Sequence, residues 1–218
     1  MQPPDPSRVQ AIDPRQARPV APSGERSADA SGPGSAGAAQ ARLLPDEPLP
    51  PYAYVPRLAP HPTRDAGGHA FGRPERRVEP PDAKRWRDCR PYLHGIDLFN
   101  HGYYWEAHEA WESVWHACGR SGPIADCLRA LIRLAAAGFK VREQRPAGAL
   151  RHAQAAEALL AGVQARLEPP DGRCLGLALD EVRGFCRLAA GLSRAMAAGA
   201  AAGAAAPQVV FGFRLEPR

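Results

Sequence analysis

No run of about 20 apolar residues occurs anywhere in the chain, so no segment is long enough to cross a bilayer as a helix. There is no CxxC pair, and the 5 cysteines (Cys89, Cys118, Cys127, Cys174 and Cys186) are odd in number. That pattern excludes a secreted disulfide scaffold and a structural zinc site built on closely paired thiols. The opening MQPPDPSRVQ has no apolar stretch of signal-peptide length. Neither an alternating strand series nor an internal repeat is present. These absences lead to the expectation of a soluble, cytoplasmic protein with no membrane partner.

What is present is unevenly spread. Of the 24 prolines in 218 residues, 17 fall within the first 81. Residues 1–45 are Pro, Ala, Gly, Ser and Arg without periodicity, a composition that cannot bury enough apolar surface to offset the entropy of ordering it. They read as a disordered tail. Residues 46–81 keep the prolines but add Tyr52, Tyr54, Val55, Leu58 and Phe71, which suits a proline-rich extended arm lying on a folded surface. The net charge of +5 concentrates around Arg73, Arg76, Arg77, Lys84, Arg85, Arg87 and Arg90. Without a recognition helix, RNA-binding aromatics or a zinc finger, that stretch reads as a solvated linker face, and nucleic acid is not the expected partner.

From residue 82 the pattern is helical to about residue 198. Helices are expected at about 89–99, 103–117, 121–142, 146–167 and 180–198, with Asn100-His101-Gly102 stopping the first and Asp180 capping the last. Pro123 and Pro146 suit the first turns of the third and fourth. The Ala/Gly run at 197–206 is low-complexity, and VVFGFRL at 209–215 reads as a short extended piece that docks back. The fold class is therefore all-α, a compact bundle of about five helices.

The densest polar information is YYWEAHEAWESVWH at 103–116. At 3.6 residues per turn, Tyr104, His108, Trp111 and Trp115 share one stripe, which is expected to face the core. Glu112 lies beside His108, Glu109 continues that flank, and Glu106 points elsewhere. A carboxylate at a core margin is costly unless paired, and such groups suit acid–base work. On the third helix Arg129, Arg133 and Lys140 line one flank, where packing could bring Arg129 and Arg133 against Glu109 and Glu112. The candidate catalytic groups are thus His108, Glu109 and Glu112. Glu106, Arg129, Arg133 and Tyr104 are candidate ligand-binding groups, suited to a small anionic ligand.

A divalent metal is a further reading. HExxH and Glu-x-x-His are both absent around His108. Extra ligands would have to come from PHPTRDAGGH, which supplies His61, Asp65 and His69 at four-residue intervals in a glycine-containing loop. The same side chains could equally serve as hydrogen-bonding anchors for that loop.

FNHGYYWEAHEAWESVW, followed by LRALIRLAAAGFKVREQRPAGALRHAQAAEALL, resembles the bacterial and archaeal domain-of-unknown-function family 309. Its pattern is an FNxGxYxEAHExxExxW helix, an LIxLAxA helix and a Gly/Ala-rich turn into another helix. The resemblance covers about residues 90–165, with Phe99, Asn100, Gly102, Tyr104, Glu106, Ala107, His108, Glu109, Glu112 and Trp115 at the motif positions. It implies a helical bundle and brings no activity with it. Arg133 departs from the pattern, standing where Gln is common. Two functional readings remain open: an enzyme with a His/Glu/Arg pocket between the second and third helices under the 52–72 segment, or a non-catalytic scaffold in which the EAHE residues form an inter-helix network.

Overall fold

A computed structural model describes residues 41–74, 77–166, 172–199 and 208–218. Residues 1–40 of the expected tail, and most of the Ala/Gly run, lie outside the described residues. Among the described residues there are five α-helices: α1 (Arg90–Asn100), α2 (Tyr104–Ala117), α3 (Pro123–Arg142), α4 (Pro146–Gln164) and α5 (Leu179–Ala197). A 3-10 turn, Trp86–Asp88, leads into α1, and a two-residue hairpin, β1 (Arg173–Cys174) with β2 (Leu177–Ala178), precedes α5. The all-α bundle follows the sequence pattern. Each helix packs chiefly on its neighbours along the chain, as short connections require.

Proline opens α1, α3 and α4 within the first two positions, where its missing N–H costs nothing. The fifth helix starts two residues earlier than a cap at Asp180 would place it, and Asp180 does not cap it. Leu179 is its first residue and Asp180 lies in the first turn, paired with Arg183 at 3.4 Å, while the Leu179 N–H bonds back to Gly172 O. The small hairpin fixes that start. It had no Asn-Gly signal, since its turn is Leu175-Gly176, with φ of 48° and 80°.

Two glycines bring three helices close together. A Cβ on Gly95 would stand 2.3 Å from Trp111 Nε1, and one on Gly138 would stand 2.7 Å from Tyr104. Trp111 can therefore lie flat on α1 and donate to Tyr92 O at 3.1 Å. The buried line of α2 runs through Tyr104, Ala107, Trp111 and Val114. Of the four residues expected on the core stripe, Tyr104 and Trp111 are fully buried. His108 and Trp115 sit half-buried at its margin, because the α2 core line is shared between α1 and α3 and is centred away from them.

The segments flanking the bundle pack on it. Leu44, Ala53 and Val55 are buried, so the packed chain begins within the last few residues of the expected tail. At the other end Phe211 and Leu215 are buried, with Phe211, Phe213 and Phe185 stacked in sequence at centroid distances of 4.8 and 4.4 Å.

Trp111→Ala is expected to cost about 3–5 kcal/mol in urea unfolding, and Trp115→Ala distinctly less. Equal losses would contradict this placement of the α2 core line.

Candidate functional site

The corner between α1 and α2 gathers polar side chains on buried positions. Asp97 and Asn100 continue the stripe of Leu93 and Ile96 on α1, at i+4 and i+7 from Leu93, and both are buried. Asp97 accepts the Leu43 and Leu44 N–H groups, one on each carboxylate oxygen, at 2.8 Å. Asn100 clamps the C-terminal segment with two bonds of 2.9 Å, donating to Leu215 O and accepting from Leu215 N. Gly102, at φ 81°, makes the sharp turn, and a Cβ there would stand 2.3 Å from Gln208 O. The Tyr104 hydroxyl accepts the Val210 N–H at 3.1 Å, and burial pushes its pKa up to about 12.

Glu106 does the same for the arm. Its Oε1 accepts from the Tyr54 N–H at 2.9 Å and lies 3.2 Å from His69 Nε2, while Oε2 is buried with no hydrogen-bond partner. Arg142 on α3 donates to Ala53 O at 3.4 Å. A carboxylate and a guanidinium thus hold the two polar ends of one peptide unit, 53–54. Burial raises the Glu106 carboxyl pKa, against the bonds from Tyr54 and His69 that lower it. Its contribution to stability is therefore fullest below the ordinary carboxylate pKa and declines as pH rises through the raised one.

His108, Glu109 and Glu112 form a separate cluster further along α2. The His108 Nδ1 lies 3.4 Å from Glu109 Oε1 and 3.9 Å from Glu112 Oε2. One ligand atom from each residue falls within 4.8 Å of the others, the only such group of three or more among the described residues. His108 Nδ1 is itself buried and has no hydrogen bond, although the ring is 30% exposed. Glu109 and Glu112 line a cavity of about 750 Å³ with Ser113 and His116 of α2, Arg90 and His94 of α1, and Glu47, Thr63 and Val78 of the arm. The cavity therefore lies along α1 and α2, where sequence reasoning had placed it between the second and third helices. Burial lowers the pKa of His94, so the ring is neutral at physiological pH, and its Nδ1 is buried without a hydrogen-bond partner.

The remaining expected site residues are distributed differently. Among the described residues no ion pair joins Arg129 or Arg133 to Glu109 or Glu112. Arg133 instead lies 3.4 Å from His152 Nδ1 on α4, and Arg129 is exposed. The loop residues do not join His108. His61 packs its ring on Tyr54 and Trp105, Asp65 accepts the His61 N–H at 2.6 Å, and His69 goes to Glu106. They anchor the arm because the segment bends back on itself, with His69 turned to Glu106 and the exposed Asp65 bonding within the segment. Tyr104 and Glu106, expected to bind ligand, are occupied by backbone groups. Asp97, Arg142 and His94 had no assigned role in the sequence reading, and Asn100 was read as part of a helix stop and of the motif. The signal for Asp97 and Asn100 was there, since polar residues on a buried helical stripe are the informative exceptions to apolar patterning.

The fold and these clusters define a small all-α protein whose first two helices carry a polar corner. A family model described as Domain of unknown function (DUF309) matches residues 92–152, spanning α1, α2, α3 and the start of α4. The match bears out the resemblance seen in the motif over these residues, which cover under a third of the chain. No curated protein and no solved structure gives a significant match.

Glu106→Ala is expected to lower stability by about 1 kcal/mol, because it strands the half-buried Tyr54 N–H. It should also open residues 53–70 to limited proteolysis in the folded protein. An unchanged cleavage pattern would show that the arm is held by other means.

Proposed function

We propose that the protein binds a divalent cation through His108, Glu109 and Glu112, beside the α1/α2 cavity, and that the cavity receives a small ligand. The observation that carries this reading is the buried Nδ1 of His108, facing two carboxylates with no hydrogen bond of its own. One ligand atom from each of the three residues lies within 4.8 Å of the others, close enough for a single cation to draw on all three. One imidazole nitrogen with carboxylate oxygens suits zinc or manganese, and three protein ligands leave coordination positions open. A cation there supplies Lewis-acid polarisation of a bound group.

The chain's own residues supply the rest. Glu109 and Glu112 place the cluster on the cavity wall. His94 lines the same cavity as a neutral ring with a free nitrogen, which fits a proton acceptor. This favours acid–base chemistry on a small ligand, such as hydrolysis or elimination. The scaffold reading has support of its own in Asn100, Tyr104 and Glu106, whose bonds go to flanking backbone. It does not account for the His108 cluster, which holds no other segment.

Calorimetric titration of chelator-treated protein with zinc and with manganese tests the proposal. One equivalent of one of them should bind to the wild type. Binding should be lost in His108→Ala and in Glu112→Gln, with the helical circular dichroism of both variants unchanged. Equal binding by wild type and variants would overturn it.

A further inference from the structure

On one flank of α3 basic side chains gather, and among the described residues only Lys140 of these meets a carboxylate. Arg129, Arg133 and Lys140 fall on one stripe of that helix, at i, i+4 and i+11, with small Ala136 between them. From α4, His152 comes within 3.4 Å of Arg133 Nη1 through its Nδ1, and Arg151 is its chain neighbour. Lys140 is already paired with Glu143. Arg129, Arg133 and Arg151 have no carboxylate partner among the described residues. Arg90, Arg166, Arg183 and Arg187 each meet an Asp or Glu, so Arg129, Arg133 and Arg151 are among the cationic groups of the bundle left without one.

We infer that the α3/α4 face around Arg133, His152, Arg129 and Arg151 is a binding site for the phosphate of a small phosphomonoester. This goes beyond the cation reading and does not depend on it: the residues that would meet the phosphate belong to α3 and α4, although His108 of α2 lies near enough to His152 to act on its charge.

The chemistry selects the ligand class. Guanidinium groups present planar forks of N–H donors matched to phosphate oxygens, and charge-assisted bonds of this kind are the strong ones. Arg133 and His152 are half-buried, so two of the groups are partly desolvated and oriented, while Arg129 and Arg151 are exposed and able to close on a ligand. Burial, and then the surrounding Arg133, Lys140, Arg151 and His108, hold the His152 ring neutral. With its Nδ1 toward Arg133, its Nε2 carries the proton and becomes a donor. That excess of donors over acceptors is what a dianion satisfies. The face spans two helices and is narrower than the extended basic track a nucleic-acid backbone needs.

The test is calorimetric titration of the full chain, in the presence of a metal chelator, with glycerol 3-phosphate and with inorganic phosphate. The His152 ring resonances are followed in parallel by NMR. Both phosphates should bind and shift His152. Arg133→Gln should weaken binding roughly ten- to a hundredfold, as loss of a charge-assisted bond does, with Arg133→Lys intermediate. Arg151→Gln, at an exposed position, should weaken it less and serves if Arg133→Gln fails to fold. Absence of binding, or binding unaltered by Arg133→Gln and Arg151→Gln, would overturn the assignment. A short DNA duplex binding more tightly than the monoester would overturn the ligand class. Chelation separates the outcomes: phosphate binding without metal stands even where the cation reading fails.

Discussion

Three buried polar side chains, Asp97, Asn100 and Glu106, need hydrogen-bond partners that the helices cannot supply, and the rest of the structure is arranged around that need. Taking a carboxylate out of water costs several kcal/mol unless donors replace the lost hydration. Those donors are backbone N–H groups of segments with no secondary structure: Leu43 and Leu44 for Asp97, Tyr54 for Glu106, Leu215 for Asn100. The need runs both ways. An arm rich in proline has no sheet or helix ladder to satisfy its remaining N–H groups once they are buried, and each one stranded would cost about 1–3 kcal/mol. Helix corner and extended segments thus complete one another.

This constraint divides the motif between Phe99 and Trp115. Its first half, through Glu106, is spent on holding chain: Phe99 stacks on Phe211, Gly102 admits Gln208, and Asn100, Tyr104 and Glu106 bond to backbone. Its second half, His108, Glu109 and Glu112, holds no segment and lies beside the cavity that the arm helps to wall. The arm therefore links the two halves. Glu106 fixes it at Tyr54, and the same arm places Thr63 and Val78 over the cavity.

Much of the bundle was legible in the sequence because it rests on local signals. The proline starts, the Asn-His-Gly stop and the Tyr104/Trp111 core positions are all written within a few residues. What was not legible depends on long-range pairing. Nothing near His69 announces a bond to Glu106, 37 residues on. The loop histidines looked like metal ligands because their spacing is regular, but the arm folds on itself and turns them to Glu106 and to aromatic rings. Arg133 was expected to meet Glu109 and Glu112 across the α2/α3 contact. Its neighbour proved to be His152 of α4. The clustering of His108 with Glu109 and Glu112 followed from helical spacing alone. The position of the cavity did not, because it depends on the arm.

The most direct test of this account is amide hydrogen exchange on the full chain, read at Leu43, Leu44, Tyr54, Val210 and Leu215. Bonds to buried side chains should protect these five amides nearly as well as the central amides of α3, although none lies in a helix or strand. Exchange at the rates of an unstructured peptide would mean that the corner does not hold the flanking segments, and that the polar half of the motif must be explained some other way.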